Sequence, residues 1–326
     1  MLYKYIKGVN QLANKKDINE NKNETDKVFR KVVLSWYPGH MAKTLRQIEE
    51  DLKLVDVVVE ILDARIPISS QNPEIRKIIK NKKKIVILNK SDLSDARENA
   101  KWVEYFEKCE IPAILCNSTT GDGASKLIDT VNEVMKEDRE KALGKGRIGK
   151  IIRIMIIGIP NVGKSSFINR IAKKSAAQVG NKPGVTKQKQ WIRLTNNIEL
   201  LDTPGVLWPK FENQEIALNL AYTGTIKAEI LEETEVAYQL TKYLVDNQLD
   251  ELIQKYGIEK AAVEDILSEN EYKENEKIVE IMNMIGRKRG AIIKGGNIDL
   301  TKVSKIILDD FKNGKLGKIT IEKVEE

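Results

Sequence analysis

A chain of 326 residues, 41% hydrophobic and 32% charged, can bury two cores and is too apolar for a disordered tail. It contains no apolar run near the ~20 residues of a membrane-spanning helix. Two cysteines and one histidine exclude a disulfide framework and a four-ligand zinc site, which fits a reducing, cytoplasmic setting. The net charge of +7 is unevenly spread: residues 1–211 are basic and the remainder is net acidic, so the front of the chain suits a polyanionic partner.

Residues 1–33 are rich in lysine and asparagine, carry Asp17, Glu20, Glu24 and Asp26, and read as a variable extension with no targeting pattern. From residue 34 short β-rich runs alternate with helical patterns. Strands are predicted at 55–62 and 84–88 with a helix at 72–81 between them. A helix at 95–109, a strand at 113–116 and a helix at 124–135 follow. Residues 141–150, rich in glycine and lysine, read as an exposed connector. A strand at 151–157 then runs through a glycine loop into a helix at 165–174, and 190–194 with 198–201 form a hairpin. This alternation predicts an α/β fold with a mainly parallel sheet. After Pro209 only helical periodicity remains, with Ile216, Leu220, Val236, Leu240, Leu244 and Leu252 on inward faces. The expected layout is an extension (1–33), an α/β domain (34–211) and an all-helical C-terminal domain (212–326).

Gly158-Ile159-Pro160-Asn161-Val162-Gly163-Lys164-Ser165 is a complete phosphate loop between a predicted strand and a predicted helix. Its glycines let backbone N–H groups face phosphate oxygens at a helix N-terminus, with Ser166 in the first turn. Lys164 is placed to reach the β- and γ-phosphates and Ser165 to ligate Mg²⁺. Asn89-Lys90-Ser91-Asp92 directly follows a strand, where α/β sheets bind ligands. A carboxylate at Asp92 can accept both N1–H and N2–H₂ of guanine, a donor pair that adenine lacks. Asn89 can reach a guanine acceptor or brace the phosphate loop, and the Lys90 stem can cover the ring. Asn117-Ser118, at the end of the next strand, could offer backbone N–H to guanine O6. Asp202-Thr203-Pro204-Gly205 suits Mg²⁺ through Asp202 and the γ-phosphate through the Gly205 N–H, and Thr186 could complete the metal shell.

The base-reading segments precede the phosphate loop and the Asp-x-x-Gly segment comes last, so the predicted GTPase domain is circularly permuted. The Gly205 segment then leads straight into the helices, a route for γ-phosphate-dependent motion. With this motif order, Trp36-Tyr37-Pro38-Gly39-His40-Met41-Ala42-Lys43 and Asp63-Ala64-Arg65-Ile66-Pro67 resemble the ribosome biogenesis GTPase A family (YlqF/RbgA). The resemblance implies a GTPase acting late in assembly of the large ribosomal subunit, with a C-terminal domain that contacts ribosomal RNA. The protein is expected to be a monomer and, with no lipidation motif, off the membrane.

Val206 stands where conventional small GTPases carry a water-orienting glutamine, and it can neither donate nor accept. The resemblance implies that His40, in a Pro-Gly turn before a helix, assists hydrolysis. It also implies that Asn161 holds a K⁺ that offsets charge developing between the β- and γ-phosphates. The basic, glycine-flanked cluster Arg287, Lys288, Arg289 and Lys294 could cap a helix dipole or meet RNA phosphates; the resemblance favours RNA. Two other readings stay open: a nucleotide-responsive RNA scaffold with little turnover, and a permuted GTPase acting on the small subunit.

Overall fold

The computed structural model describes residues 39–147, 149–179, 191–203, 207, 213–226, 231–269 and 273–325. The extension at 1–33 and the expected boundary near residue 212 lie outside the described residues. Helix α1 (Gly39–Leu52) leads to strand β1 (Val57–Asp63), and α2 (Pro73–Ile78) connects it to β2 (Lys83–Asn89). Asn72 starts α2 by accepting from the N–H groups of Glu74 and Ile75, with Pro73 in the first turn where its missing N–H costs nothing. Helix α3 (Ala96–Lys108), capped by Asp95, precedes β3 (Ala113–Cys116). Helices α4 (Lys126–Val134) and α5 (Lys136–Gly144) lead to β4 (Ile152–Ile157), followed by α6 (Lys164–Val179), β5 (Trp191–Arg193) and β6 (Ile198–Asp202).

These strands form one sheet in the order β3-β2-β1-β4-β6-β5, parallel except where β5 pairs with β6. Sequence and structure differ most at α5, which occupies the first part of the expected connector. It buries no residue, so it has no apolar period to reveal it. What holds it is charge: Lys141 pairs with Glu137 one turn earlier, and Lys83 reaches across to Asp138.

Strands β1, β2 and β4 are buried on both faces, as a parallel sheet covered by helices requires. On one face Val58, Met155 and Leu201 pack against Ile48 and Leu52 of α1; further along, Leu62, Val86 and Leu88 pack against Trp102 and Phe106 of α3. On the other face a continuous core runs from Val59, Ile87 and Ile156 through Leu127 and Phe167 into the C-terminal helices. Those are α7 (Gln214–Tyr222), α8 (Glu233–Asn247), α9 (Leu249–Tyr256), α10 (Lys260–Ser268), α11 (Glu274–Lys288) and α12 (Leu300–Lys312). As the periodicity predicts, Leu220, Val236, Leu240, Leu244 and Leu252 are fully buried there.

Beyond α12 the chain returns to the sheet. Ile319 N–H donates to Leu93 O (3.1 Å), Thr320 Oγ1 accepts from Asp95 N–H (3.0 Å), and Ile321 N–H donates to Arg65 O (2.9 Å). The Glu322 carboxylate accepts from the N–H groups of Ile68 and Ser69, the Ser69 hydroxyl and the Asn219 amide, while Trp102 Nε1 donates to the Glu322 carbonyl. The tail therefore binds strand ends, loop and helix α7 together.

Candidate nucleotide-binding site

Because β1 to β4 and β6 are parallel, their carboxyl ends fall along one edge of the sheet, and the sequence motifs gather there. Asp63 pairs in register with Asn89, Asn89 with Cys116, and Ile156 with Asp202. The base-reading segments lie on the β2–β3 side and the phosphate loop on β4, with β1 between them. A cleft of roughly 330 Å³ opens along this edge, a volume in the range of small-ligand sites. Its wall includes Asn89, Lys90, Asp92, Asn117, Ser118 and Ser166.

Asn89 is buried and joins three segments. Its Nδ2 donates to Val162 O (2.6 Å) in the phosphate loop, and its Oδ1 accepts from the N–H (3.0 Å) and Oγ (2.7 Å) of Ser118. Of the two roles read from sequence, bracing the phosphate loop is the one seen. Gly163 is required at this junction: its φ is +96°, and a Cβ would stand 2.3 Å from Asn89 Nδ2. The Ser118 N–H, expected to face guanine O6, is turned to Asn89 instead, because the buried Asn89 carbonyl oxygen needs a donor. Asn117 closes its own loop by accepting from the N–H groups of Thr119 and Thr120, and Arg170 of α6 donates to the Thr119 carbonyl.

Asp92 is exposed and makes no hydrogen bond or ion pair among the described residues, so both carboxylate oxygens are available to a pair of donors. The loop beneath it is fixed: Ser91 N–H donates to Cys116 O (3.1 Å), and Asn99 Nδ2 donates to Ser91 O (3.2 Å). Lys90 adopts φ +59° and turns its ammonium onto Asp63 at 2.9 Å. Asp63 is fully buried and also takes a two-pronged contact from Arg65, with Nε at 3.0 Å and Nη2 at 2.9 Å. Burial alone would raise the Asp63 pKa, but the adjacent Arg65 and Lys90 cations outweigh it and hold the carboxyl well below the usual range.

On the phosphate side, Lys164 and Ser165 open α6 directly after the loop, with Val162 buried and Gly158 closing β4. Asn161 takes φ +61°, and its Nδ2 donates to Gly224 O just past α7 (2.8 Å). Ser165 lies in the first turn of α6 and Asp202 is the last residue of β6, the strand beside β4. The backbone thus brings to one edge of the sheet the two residue types, hydroxyl and carboxylate, that an oxygen-seeking ion such as Mg²⁺ would use. Among the described residues there is no cluster of three or more His, Cys, Asp and Glu that could hold a metal ion. Thr186, Gly205 and Val206 lie outside the described residues, as do the side chains of Asp202 and His40. Helix α1 already begins at Gly39, so His40 stands within its first turn rather than ahead of it.

The family described as 50S ribosome-binding GTPase matches residues 153–284, beginning at the phosphate-loop strand and leaving the base-reading loop upstream. Ribosome biogenesis GTPase A of Bacillus licheniformis is 42% identical over 295 residues, covering 90% of this chain and all of that protein. The chain belongs to the ribosome biogenesis GTPase A family. The bovine mitochondrial ribosome-associated GTPase 1 is 32% identical, covering 89% of each chain. Among solved structures, GNP-bound YlqF from Thermotoga maritima matches with a TM-score of 0.57 at 27% identity, over 86% of this chain and 98% of that one. Membership makes the protein a GTPase with GTP as substrate, on a permuted α/β fold.

The basic cluster expected to meet RNA is divided. Arg287 pairs with Glu280 (3.0 Å); Arg289 lies over the Tyr256 ring (5.1 Å), with its guanidinium 3.8 Å from Asp310. Lys288 and Lys294 are exposed and make no hydrogen bond or ion pair among the described residues. The site also contains residues that no motif announced: Thr223, Lys312 and Asn313, from the helical region, line the same cleft.

The buried Asp63 gives a pH prediction. A carboxylate with a depressed folded-state pKa stabilises the fold above its unfolded value, 3.8, and loses that stabilisation as pH falls through the folded value. Asp63→Asn is expected to cost about 3 kcal/mol at pH 7 and to lack part of the decline below pH ~4. Urea unfolding at neutral and acid pH measures both; an unchanged acid slope would count against the network.

Proposed function

We propose that this protein is a GTP-hydrolysing assembly factor that binds the immature large ribosomal subunit, promotes a late maturation step and leaves after hydrolysis. It acts as a cytoplasmic monomer, organised as an extension (1–33), a permuted GTPase domain (34–211) and a helical domain (212–326). The observation that carries the reading is the meeting of a guanine-reading loop and a phosphate loop through Asn89, in a chain whose relatives bear ribosomal names. Mg²⁺ is held by Ser165, Asp202 and Thr186, with Gly205 on the γ-phosphate.

Ribosomal RNA is met through the free cations Lys288 and Lys294, flanked by exposed Ile292 and Ile293. Arg287 and Arg289 contribute charge from positions already set by Glu280 and Asp310. Sedimentation with purified subunits tests the target. The protein should pellet with large subunits under a non-hydrolysable GTP analogue and stay in solution under GDP. Lys288→Gln with Lys294→Gln should weaken pelleting and flatten its salt dependence. Pelleting with small subunits alone would overturn the target.

Hydrolysis relies on His40 in place of the missing glutamine, since Val206 cannot position water. His40→Ala should keep GTP affinity and lower subunit-stimulated turnover by about a hundredfold. Stimulated single-turnover rates equal to wild type would remove His40 from the mechanism. A wild-type rate that stays negligible even with subunits would favour the scaffold reading.

K⁺ would be held by the Asn161 carbonyl oxygen, the end of the amide that Gly224 does not use, and would offset charge developing between the β- and γ-phosphates. At equal ionic strength, hydrolysis is expected to be faster in KCl than in NaCl. Equal rates would dismiss the ion.

A further inference from the structure

The helical region closes one side of the nucleotide cleft. Lys312, the last residue of α12, lines it together with Asp92 and Asn117 at the guanine end and Gly163 and Ser166 at the phosphate end. Its aliphatic stem crosses Gly224, where a Cβ would stand 2.8 Å from Lys312 Cε. The same Gly224 accepts from Asn161 of the phosphate loop, so Lys312 runs beside that loop.

Its backbone is anchored independently of its side chain. Arg65 Nη1 donates to the Phe311 (3.3 Å) and Lys312 (3.2 Å) carbonyls, satisfying acceptors that a helix end leaves open and placing a cation at the negative pole of α12. Through Arg65 and Asp63 that helix end connects to Lys90 in the guanine loop. The Lys312 ammonium itself is exposed and has no hydrogen bond or ion pair among the described residues. Its neighbour Asn313 is committed, donating from Nδ2 to Asp309 O (2.8 Å). A cation held at a polar cleft with no protein anion of its own suits an anionic ligand.

We propose that Lys312 is a nucleotide-binding residue whose ammonium pairs with the sugar–α-phosphate stretch of a bound guanine nucleotide. The base end and the terminal phosphates are gripped by the GTPase motifs, and the middle of the ligand is gripped by the helical region. This rests on the GTPase reading of the cleft. Both GDP and GTP carry the α-phosphate, so Lys312 strengthens both and leaves base selection to Asp92.

Dissociation of fluorescent GDP and GTP analogues from the full chain tests it. Lys312→Ala should release both about tenfold faster, the loss of one charge-assisted contact, and Lys312→Glu faster still. Lys312→Arg should restore slow release, and the difference should shrink at high salt. The preference for GDP over ADP should be unchanged in every variant. If the alanine form folds poorly, as judged by its urea midpoint, Lys312→Gln retains the stem over Gly224 and is expected to show the same fast release. Release within twofold of wild type from the glutamate or glutamine form would overturn the proposal. Loss of guanine preference in the wild-type protein would instead sink the reading of the cleft itself.

Discussion

One carboxamide holds the nucleotide site together. The side chain of Asn89 has a donor end and an acceptor end, and both are spent on backbone or side-chain groups of other segments. It is buried, so each of its polar atoms must find a partner inside the protein. Those partners are Val162 in the phosphate loop and Ser118 after β3. The geometry tolerates no side chain at Gly163. The loop at Asn89–Asp92 and the phosphate loop, 73 residues apart along the chain at their point of contact, are thus held at a fixed separation, which is what a ligand with a base at one end and phosphates at the other demands.

Permutation is tolerated because the sheet depends on neighbour relations and not on chain order. Strands β1 and β4, distant in sequence, pair in parallel through Val57–Glu60 and Ile154–Ile157. That places β1, whose last residue Asp63 pairs with Asn89, directly beside the phosphate-loop strand. Desolvation opposes the buried ion network around Asp63, and the paired Arg65 and Lys90 cations outweigh it. What the network provides is connection: Lys90 at the guanine loop, Arg65 at the core and the carbonyls of α12 are tied through one carboxylate.

The sheet and both nucleotide motifs were legible in the sequence because their signals are local. A buried strand shows as an apolar run, and a phosphate loop shows as glycine spacing followed by Lys-Ser. The predicted strand at 113–116 matches β3 residue for residue. Helix α5 was not legible, because a helix held by exposed ion pairs has no apolar stripe. The role of Arg65 was not legible either: its partners at Phe311 and Lys312 lie 246 and 247 residues away. Likewise nothing near Ser118 signalled that its N–H would be claimed by Asn89, since that choice depends on which buried oxygen is left without a donor.

The helical region is bound to the nucleotide site at three places, and the places differ in kind. Asn161 reaches Gly224 from the phosphate loop, Arg65 reaches the end of α12 from the guanine side, and the tail at 319–322 lies over Leu93, Asp95 and Ser69. The Asp202 segment enters the same region along the chain, with α7 beginning only at Gln214. A residue of the phosphate loop, a residue that contacts the base loop and the covalent connection therefore converge on one helical body. Because the core of the helical region is continuous with that of the sheet, phosphate loop, base loop, sheet and helices pack as one body around the cleft.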